Sequence, residues 1–474
     1  MRHRFLVLII AFATQTVAAQ DNWTLQQCID YALKNNISVR QADVLSRLSK
    51  LTAQQSRMAR YPNLVGSVSG SYQHGLSDNP TTGTLESASF TSGNIGIQSS
   101  YNIFDWYARR NTIIANNLNY KADLVGIDKS RNDVALVVAN AFLQVMLRRE
   151  QLKISEVQMG QSKVQLSNIQ KLVSAGSQPE LNAIQLEAQF AKDSSAMLQA
   201  QALVAQSLIN LKAYLNYDFA LPFDIVSPNI ENILLENISD LQPEAVYQLA
   251  LNNQPLQKQY KLKIEAGQYA IKAARGYMYP SLTAFSQLNT RVINIKTMPI
   301  IQQLPDQKIG YADVNGSRYA VFTPSFGVLG FSGTPILKQF QNNFGQTIGV
   351  SLSFSVFNAF TNRTQWEKAR INVQQLTLQE EQENLNLKTN IYNAYQDAFS
   401  SFQKYNASKR TVQYSQRAFD IAKKRYDIGL LGTLDFIITQ NNLYLARIDV
   451  VSSHYDYVFK MKVLEFYKGQ GLKL

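Results

Sequence analysis

Several segments of this chain alternate apolar and polar residues with a period of two, which is the pattern of a β-strand. The alternation extends over residues 64–73, 92–103 and 347–356, and it is weak in a fourth candidate strand near 282–289. The clearest segment has apolar residues at Ile348, Val350, Leu352, Phe354 and Val356. Each apolar face lies opposite Ser, Thr, Asn, Gln and Gly. That arrangement suits strands between lipid and water, although a soluble β-sandwich would also accommodate it.

Long helices are predicted for most of the remaining chain. No proline lies between Pro80 and Pro179 or after Pro335, so residues 105–173 and 359–428 can each form one helix. A helix of ~70 residues would span ~100 Å, which implies packing along a coiled coil. Apolar residues recur at spacings of four and three, as in a coiled-coil seam. They are Val134, Val138, Ala141 and Val145 in the first segment, and Ile391, Tyr395, Ala398, Phe402 and Tyr405 in the second.

Glycine turns are expected to reverse the chain after each long helix. Gly176 and Gly429 mark these turns, and return helices are predicted over residues 179–214 and 433–467. Helices commonly have a proline near their first residue and a glycine just past their last residue.

A shorter helix opens each half of the chain. Thr24 is followed three residues later by Gln27, which fits a capping box, and this helix is expected to run to about Arg60. In the second half a helix is expected from near Pro243, with a kink near Pro255.

The order of elements follows an internal repeat. Tyr61-Pro62-Asn63-Leu64 reappears 218 positions later as Tyr279-Pro280-Ser281-Leu282. Further along, the offset becomes 253 and carries Gly176 onto Gly429. The 35-residue difference requires an insertion in the second copy, between Pro280 and Phe357. The predicted organisation is a signal peptide (1–19), a first repeat (20–217), a linker (218–240) and a second repeat (241–474) with a longer outer loop at about 290–345.

The first 19 residues have the pattern of a secretory signal. Arg2 and Arg4 precede the short apolar stretch of residues 5–13, and Val17-Ala18-Ala19 fits a cleavage site. The apolar stretch is shorter than the ~20 residues that a membrane-spanning helix needs. We therefore expect an exported protein rather than one anchored by its N-terminus.

Charge and cysteine usage narrow the class of protein further. The formal charge is +12, and the basic residues are spread along helices. This distribution favours solvated helix surfaces over nucleic-acid binding, which needs a concentrated basic face. Cys28 is the only cysteine, so an intrachain disulfide is excluded, and we expect it to pack on a helix.

No catalytic or metal site is predicted. Apart from His3 in the signal, the histidines are His74 and His454, and neither has Cys, Asp or Glu at metal-ligand spacing. The glycine-rich residues 327–333 lack the spacing of a phosphate-binding loop. We expect no enzyme activity and no cofactor.

Four strands cannot close a membrane barrel, because the known barrels begin at about eight strands and an open sheet edge is not tolerated in lipid. Two copies would supply eight strands and three copies twelve. A wide conduit favours three.

The chain resembles the TolC-like outer-membrane efflux protein family, also called the outer-membrane factors. The resemblance extends over nearly the whole mature chain, through the order of elements, its duplication and a set of local motifs. The motifs are Trp23-Thr24-Leu25 leading to Ala32-Leu33-Lys34-Asn35-Asn36, the two Tyr-Pro pairs, Asn102-Ile103-Phe104 and Arg425-Tyr426-Asp427-Ile428-Gly429.

The resemblance implies a mainly α fold with a small β part, built from a duplicated helix, hairpin, long helix and return helix. It implies a homotrimer with a 12-stranded β-barrel in the bacterial outer membrane, four strands per chain, continued by a long α-helical tunnel in the periplasm. The implied partners are a periplasmic adaptor (membrane fusion protein), an inner-membrane transporter and outer-membrane lipid.

In this family the glycine turns form the periplasmic aperture, where adaptors dock. The positions that match this tip are Gly176, Asn182, Tyr426, Gly429, Thr433 and Asp435. Asn182 stands where an acidic residue can occur, Leu431 where a basic one can, and Ile438 where a second aspartate can. An ionic lock is therefore not expected here, whereas a neutral hydrogen bond between Tyr426 and Asn182 is compatible with the sequence.

The sequence patterns and the family resemblance together favour one function, the outer-membrane exit channel of a tripartite export system. It would passively conduct solutes expelled by an inner-membrane pump. Two alternatives stay open: a duct for type I protein secretion, which differs in partner and not in fold, and a periplasmic coiled-coil scaffold without a pore.

Overall fold

The computed structural model describes residues 22–78, 85–226, 230–294 and 296–469. The predicted signal peptide lies outside the described residues, as do residues 227–229 of the predicted linker and 470–474 of the predicted second repeat. In chain order the elements are β1 (Asn22–Trp23), α1 (Leu25–Asn35), α2 (Ile37–Met58), β2 (Asn63–Asp78), β3 (Leu85–Phe104), α3 (Ala108–Ser174), α4 (Glu180–Leu215), β4 (Asp224–Ile225), α5 (Pro243–Asn253), α6 (Pro255–Gly276), β5 (Ser281–Ile293), β6 (Lys296–Val314), β7 (Ser317–Gly333), α7 (Ile336–Asn342), β8 (Gly345–Ser353), α8 (Thr361–Asp427) and α9 (Thr433–Lys468).

The chain divides into two compact units. The helical unit comprises residues up to 51, 116–266 and 372 onward, and the sheet unit comprises residues 52–115 and 267–371. The mainly α fold class with a small β part is confirmed. Within the described residues, no helix combines the length and the apolar composition required to cross a bilayer.

The predicted long helices are confirmed as α3 and α8, each of 67 residues. The return helices α4 and α9 have 36 residues each. Every bound of α8 and α9 lies 253 positions after the matching bound of α3 and α4, and α5 and α6 follow α1 and α2 by 218. The backbone preserves the offset too, because positive φ angles at Trp106 and Tyr107 recur at Ala359 and Phe360.

The prediction of one continuous first helix to about Arg60 is wrong, because the segment forms two helices, α1 and α2, separated at Asn36. This residue has an extended backbone, with φ −62° and ψ 135°. Its side chain accepts the backbone N–H of Ser38 and donates to the carbonyl of Tyr214. The hydrogen bonds of this side chain to nearby backbone groups compete with the backbone hydrogen bonds of a continuous helix.

The predicted capping box of Thr24 and Gln27 is present at the start of α1.

The sheet unit contains a four-stranded antiparallel sheet in the order β2-β3-β5-β8. Opposite residues share a face, so the register decides which side chains meet. One face carries apolar pairs such as Val68 opposite Ile95 and Leu282 opposite Leu352. The other face collects polar residues, with Gln98 opposite Gln287. The weakly alternating segment near 282–289 is therefore a full strand, β5.

Two predictions about this unit are wrong. Strand β8 ends at Ser353, so Phe354 and Val356 lie in the connection to α8 and not on the predicted apolar strand. The predicted loop at about 290–345 folds into the antiparallel hairpin β6–β7 and helix α7. Asn315 and Gly316 both have positive φ at its turn, as a two-residue hairpin loop requires.

The helical unit has its main core around α1 and the middle of α3. Cys28, Val138, Phe142 and Met146 are essentially inaccessible to solvent there. The short parallel strands β1 and β4 close this core. Burial raises the pKa of the Cys28 thiol to about 12, which fits the expected packing role.

Candidate functional site

The two glycine turns of the helical unit have the same hydrogen-bond geometry. The N–H of Gly176 donates to Val173 and the N–H of Ser177 donates to Leu172. The matching pair after α8 runs from Gly429 to Tyr426 and from Leu430 to Arg425. This Schellman pattern needs a left-handed residue at the glycine, and φ is +72° at Gly176 and +77° at Gly429.

A cleft of about 1170 Å³ opens beside the second turn. We call it the tip cleft. The end of α3, the start of α4, the end of α8 and the start of α9 form its walls. Its apolar lining includes Val164, Leu172, Phe419, Leu431 and Phe436. Polar side chains such as Gln165, Asn182 and Lys423 share the lining, so the cleft offers both apolar and hydrogen-bonding groups to a ligand or a partner side chain.

Aromatic stacking fixes the α8–α9 side of the tip cleft. The rings of Tyr426 and Phe436 lie parallel, with centroids 4.5 Å apart. Phe419 lies one seam position before Tyr426 and contacts the same Phe436 ring at 5.8 Å. The Tyr426 ring is thereby packed against α9 and is partly exposed.

The hydrogen bond between Tyr426 and Asn182 that the sequence allows is not formed among the described residues. The Asn182 side chain donates instead to Gln178 at 2.9 Å, one turn earlier in the chain. Both Asn182 and Tyr426 line the tip cleft, so they face the same space without direct contact.

The remaining predicted tip residues separate into two groups. Gly429 and Thr433 line the tip cleft, and Thr433 is buried at the start of α9. Gly176 and Asp435 are exposed and lie outside its lining. Asp435 is in the first turn of α9, where the helix dipole favours a carboxylate.

A polar core lies further along the same helices. The Asp193 carboxylate is 4% exposed and accepts hydrogen bonds from Ser162, Gln158 and Gln189. Gln189 of α4 also exchanges two hydrogen bonds with Asn441 of α9, at 2.9 and 3.2 Å. These reciprocal amide contacts join the first-half helices to the second-half helices beside the tip.

The sequence reasoning missed Phe419, Phe436 and this polar core. The coiled-coil seam on α8 includes Tyr405, and continuing its seven-residue repeat from there leads to Phe419 and Tyr426. The periodicity of the sequence could therefore have identified Phe419. Phe436 and the Gln189–Asn441 pair depend on contacts between helices far apart in sequence, for which no local signal exists. Among the described residues, no cluster of three or more His, Cys, Asp or Glu residues could hold a metal ion.

Solved structures of outer-membrane channels share this fold. The Campylobacter jejuni CmeC outer membrane channel aligns with a TM-score of 0.74 at 18% identity, over 95% of this chain and 87% of that one. The Vibrio cholerae outer membrane protein VceC gives 0.72 at 15% identity, over 95% and 97%. The open-state Neisseria gonorrhoeae MtrE channel gives 0.70 at 18% identity, over 95% and 89%.

Among curated protein sequences, none matches this chain. The family model described as outer membrane efflux protein matches residues 28–217 and 312–467. The matched segments include both long helices, both return helices and both glycine turns, and they amount to well over half of the chain. The chain is therefore a member of the outer membrane efflux protein family.

Proposed function

We propose that three copies of this chain form an outer-membrane exit duct, in which a 12-stranded barrel continues into a periplasmic tunnel of helices. The observation that carries the proposal is the four-stranded sheet of the sheet unit. Strands β2 and β8 are its edges, and a sheet edge in lipid must pair. Three such sheets, joined edge to edge, supply a closed barrel.

The exposed apolar face of the sheet supports contact with lipid. Ile348, Val350 and Leu352 are 86%, 63% and 60% exposed on β8. Soluble monomers rarely leave a contiguous apolar surface uncovered. The opposite face, with Thr283 paired to Ser351, suits a water-filled lumen.

Heptad stripes on two helices support self-association along the tunnel. On α8 the apolar side chains Ile371, Leu378, Leu385, Tyr392 and Phe399 recur every seven residues, all between 38% and 62% exposed. On α2 the same spacing is found at Ile37, Val44, Leu51 and Met58, between 57% and 62% exposed. A strict seven-residue apolar repeat is the seam of helices packed side by side. We infer that neighbouring copies cover these stripes.

The duct would serve a tripartite export system, with the tip cleft and its glycine turns as the docking region for a periplasmic adaptor. An inner-membrane transporter would supply the energy, so the channel itself conducts passively. We also infer that the two halves are copies of one unit, since their helix bounds repeat at fixed offsets. Small solutes are the favoured cargo, and a secreted polypeptide is the alternative.

The barrel assignment is tested by placing a charge on each face of one strand. Leu352→Arg should lower the fraction of trimer in the outer membrane, because arginine on the lipid face costs up to about 2–4 kcal/mol, a cost that falls toward the interfaces. Ser351→Arg, the matched control on the polar face, should assemble nearly as well as the wild type. Native mass spectrometry of detergent-extracted outer membranes measures the trimer fraction. Equal loss for both variants, or a wild type that is a soluble monomer, would contradict the proposal.

A further inference from the structure

A second, smaller cavity lies in the helical unit at the break between α5 and α6. Its volume is about 160 Å³, and α3, the start of α6, α8 and the end of α9 contribute its walls. Since one water needs ~10–15 Å³ by this measure, the cavity has room for roughly ten non-hydrogen atoms. Its lining residues do not overlap those of the tip cleft, so it is a separate site.

Gln257 places an unsatisfied acceptor at this cavity. The side chain is 2% exposed and lines the cavity, and its Oε1 has no hydrogen-bond partner among the described residues. Burying a polar atom without a partner destabilises a fold. Such an atom in a native structure therefore calls for an explanation, and a bound donor is one.

The internal repeat shows that the fold itself does not require a polar residue here. The position 218 residues earlier is Val39, which is 5% exposed and belongs to the apolar core around α1. Val39 and Gln257 each occupy the third position of their helices, α2 and α6. The same structural position is thus filled by hydrocarbon in one half and by an amide in the other.

Negative charge lies around the cavity. Asp133 and Glu383 line it from α3 and α8. Asp133 is paired with Lys129 at 2.6 Å, whereas Glu383 is half-buried and adds a further negative charge. Burial raises the pKa of Tyr467, which also lines the cavity, and the nearby Asp133 charge raises it further. Lys129 thus contributes one positive charge to the lining, and Asp133 and Glu383 contribute two negative charges. This excess of negative charge favours a cationic ligand.

The remaining walls are apolar. Leu136, Leu256, Leu387 and Phe466 line the cavity. A bare metal ion prefers a shell of oxygen ligands, which these side chains cannot supply. An organic cation with a small hydrocarbon body can meet the carboxylates, the amide and the apolar walls together.

We propose that this cavity binds a small organic ammonium. Its N–H would donate to Gln257 Oε1, its charge would face Glu383 and Asp133, and its hydrocarbon part would pack against Leu256, Leu387 and Phe466. The site is independent of the channel assignment, because all its walls come from the helical unit of one chain.

The test uses the full mature protein in detergent and ¹⁹F NMR of 4-fluorobenzylammonium, a cation of suitable size. Saturable binding is expected for the wild type, and the neutral isostere 4-fluorobenzyl alcohol should bind at least tenfold more weakly. Gln257→Val, which copies the residue of the first half, should abolish binding. It should also raise the unfolding temperature of the ligand-free protein, because the unpaired acceptor is removed.

Glu383→Gln should weaken ammonium binding about tenfold. Glu380→Gln, one turn earlier on α8 and outside the cavity lining, is the matched control and should bind as the wild type does. Binding that survives Gln257→Val, equal affinity for the alcohol, or displacement of the ammonium by equimolar Ca²⁺ would overturn the proposal.

Discussion

At the residue scale, His454 shows how burial on a helix seam sets the charge of a side chain. Its ring stacks on Tyr405 of α8, with centroids 4.4 Å apart and planes 13° from parallel. Burial lowers the pKa of His454; the nearby Glu231 raises it and Lys409 lowers it. The neutral imidazole is therefore the form that the folded protein favours.

This lowered pKa predicts a loss of stability in mild acid. The unfolded chain has a histidine pKa near 6.5, so as the pH falls through that value the unfolded state takes up the proton first. The free energy of unfolding should fall between about pH 7 and the lower pKa of the folded state. His454→Phe keeps the stacking and should remove this part of the pH dependence.

Thermal unfolding of the purified protein at a series of pH values measures the effect. His74→Gln, on strand β2 of the sheet unit, is the control for the loss of a histidine elsewhere in the chain. Identical slopes for the wild type and His454→Phe would show that His454 titrates normally.

At the element scale, close packing rather than turn geometry explains a glycine at the end of α6. A Cβ at Gly276 would lie 2.9 Å from Ala108 Cβ and 3.0 Å from the Trp106 carbonyl oxygen. Trp106 belongs to the left-handed connection before α3 and Ala108 is the first residue of that helix, so neither can move freely. The helix end and the strand-to-helix connection meet without room for a methyl group.

Gly276→Ala is therefore expected to lower the free energy of unfolding by about 1–3 kcal/mol, the usual cost of overpacking. Gly160→Ala, within α3, is the matched substitution where a Cβ would meet no atom within 4 Å. It should raise stability by about 0.5–1 kcal/mol, because alanine favours the helix. Chemical denaturation of the two variants measures both changes, and equal shifts would contradict the packing argument.

At the scale of the whole molecule, the proposed trimer gives Asp435 a role that one chain cannot. Asp435 is exposed, lies outside the lining of the tip cleft and stands in the first turn of α9. Three copies around an axis would bring three carboxylates to the entrance of the tunnel. Rings of carboxylates favour cations in pores.

Asp435→Asn is accordingly expected to reduce cation selectivity and block by multivalent cations in planar-bilayer recordings. Trimer assembly should be unchanged, because Asp435 lies neither on the sheet nor on the heptad stripes of α2 and α8 that neighbouring copies are proposed to cover. Glu180→Gln, at the matching end of α4, serves as a control for charge near the tip. Recordings with unaltered selectivity and block would place Asp435 away from the conduction path.

The sequence by itself determined the long helices, the return helices and their order. The absence of proline over long stretches, the glycines with positive φ and the apolar seams are local properties, so they located α3, α4, α8 and α9 almost to the residue. The internal repeat supplied the second half from the first. The family resemblance rests on the same local motifs.

Only the tertiary structure decided which distant residues meet. Strand β5 alternates weakly in sequence, and only its pairing with β3 and β8 establishes it as a full strand. The segment predicted as a loop forms the β6–β7 hairpin, and Pro305 and Pro324 lie where the register of this hairpin shifts. Phe436 over Tyr426, the Gln189–Asn441 pair and the unpaired Gln257 each depend on helices brought together from distant parts of the chain. Local patterns predict the conformation of a segment, but a contact between segments depends on register and packing, which are properties of the folded chain.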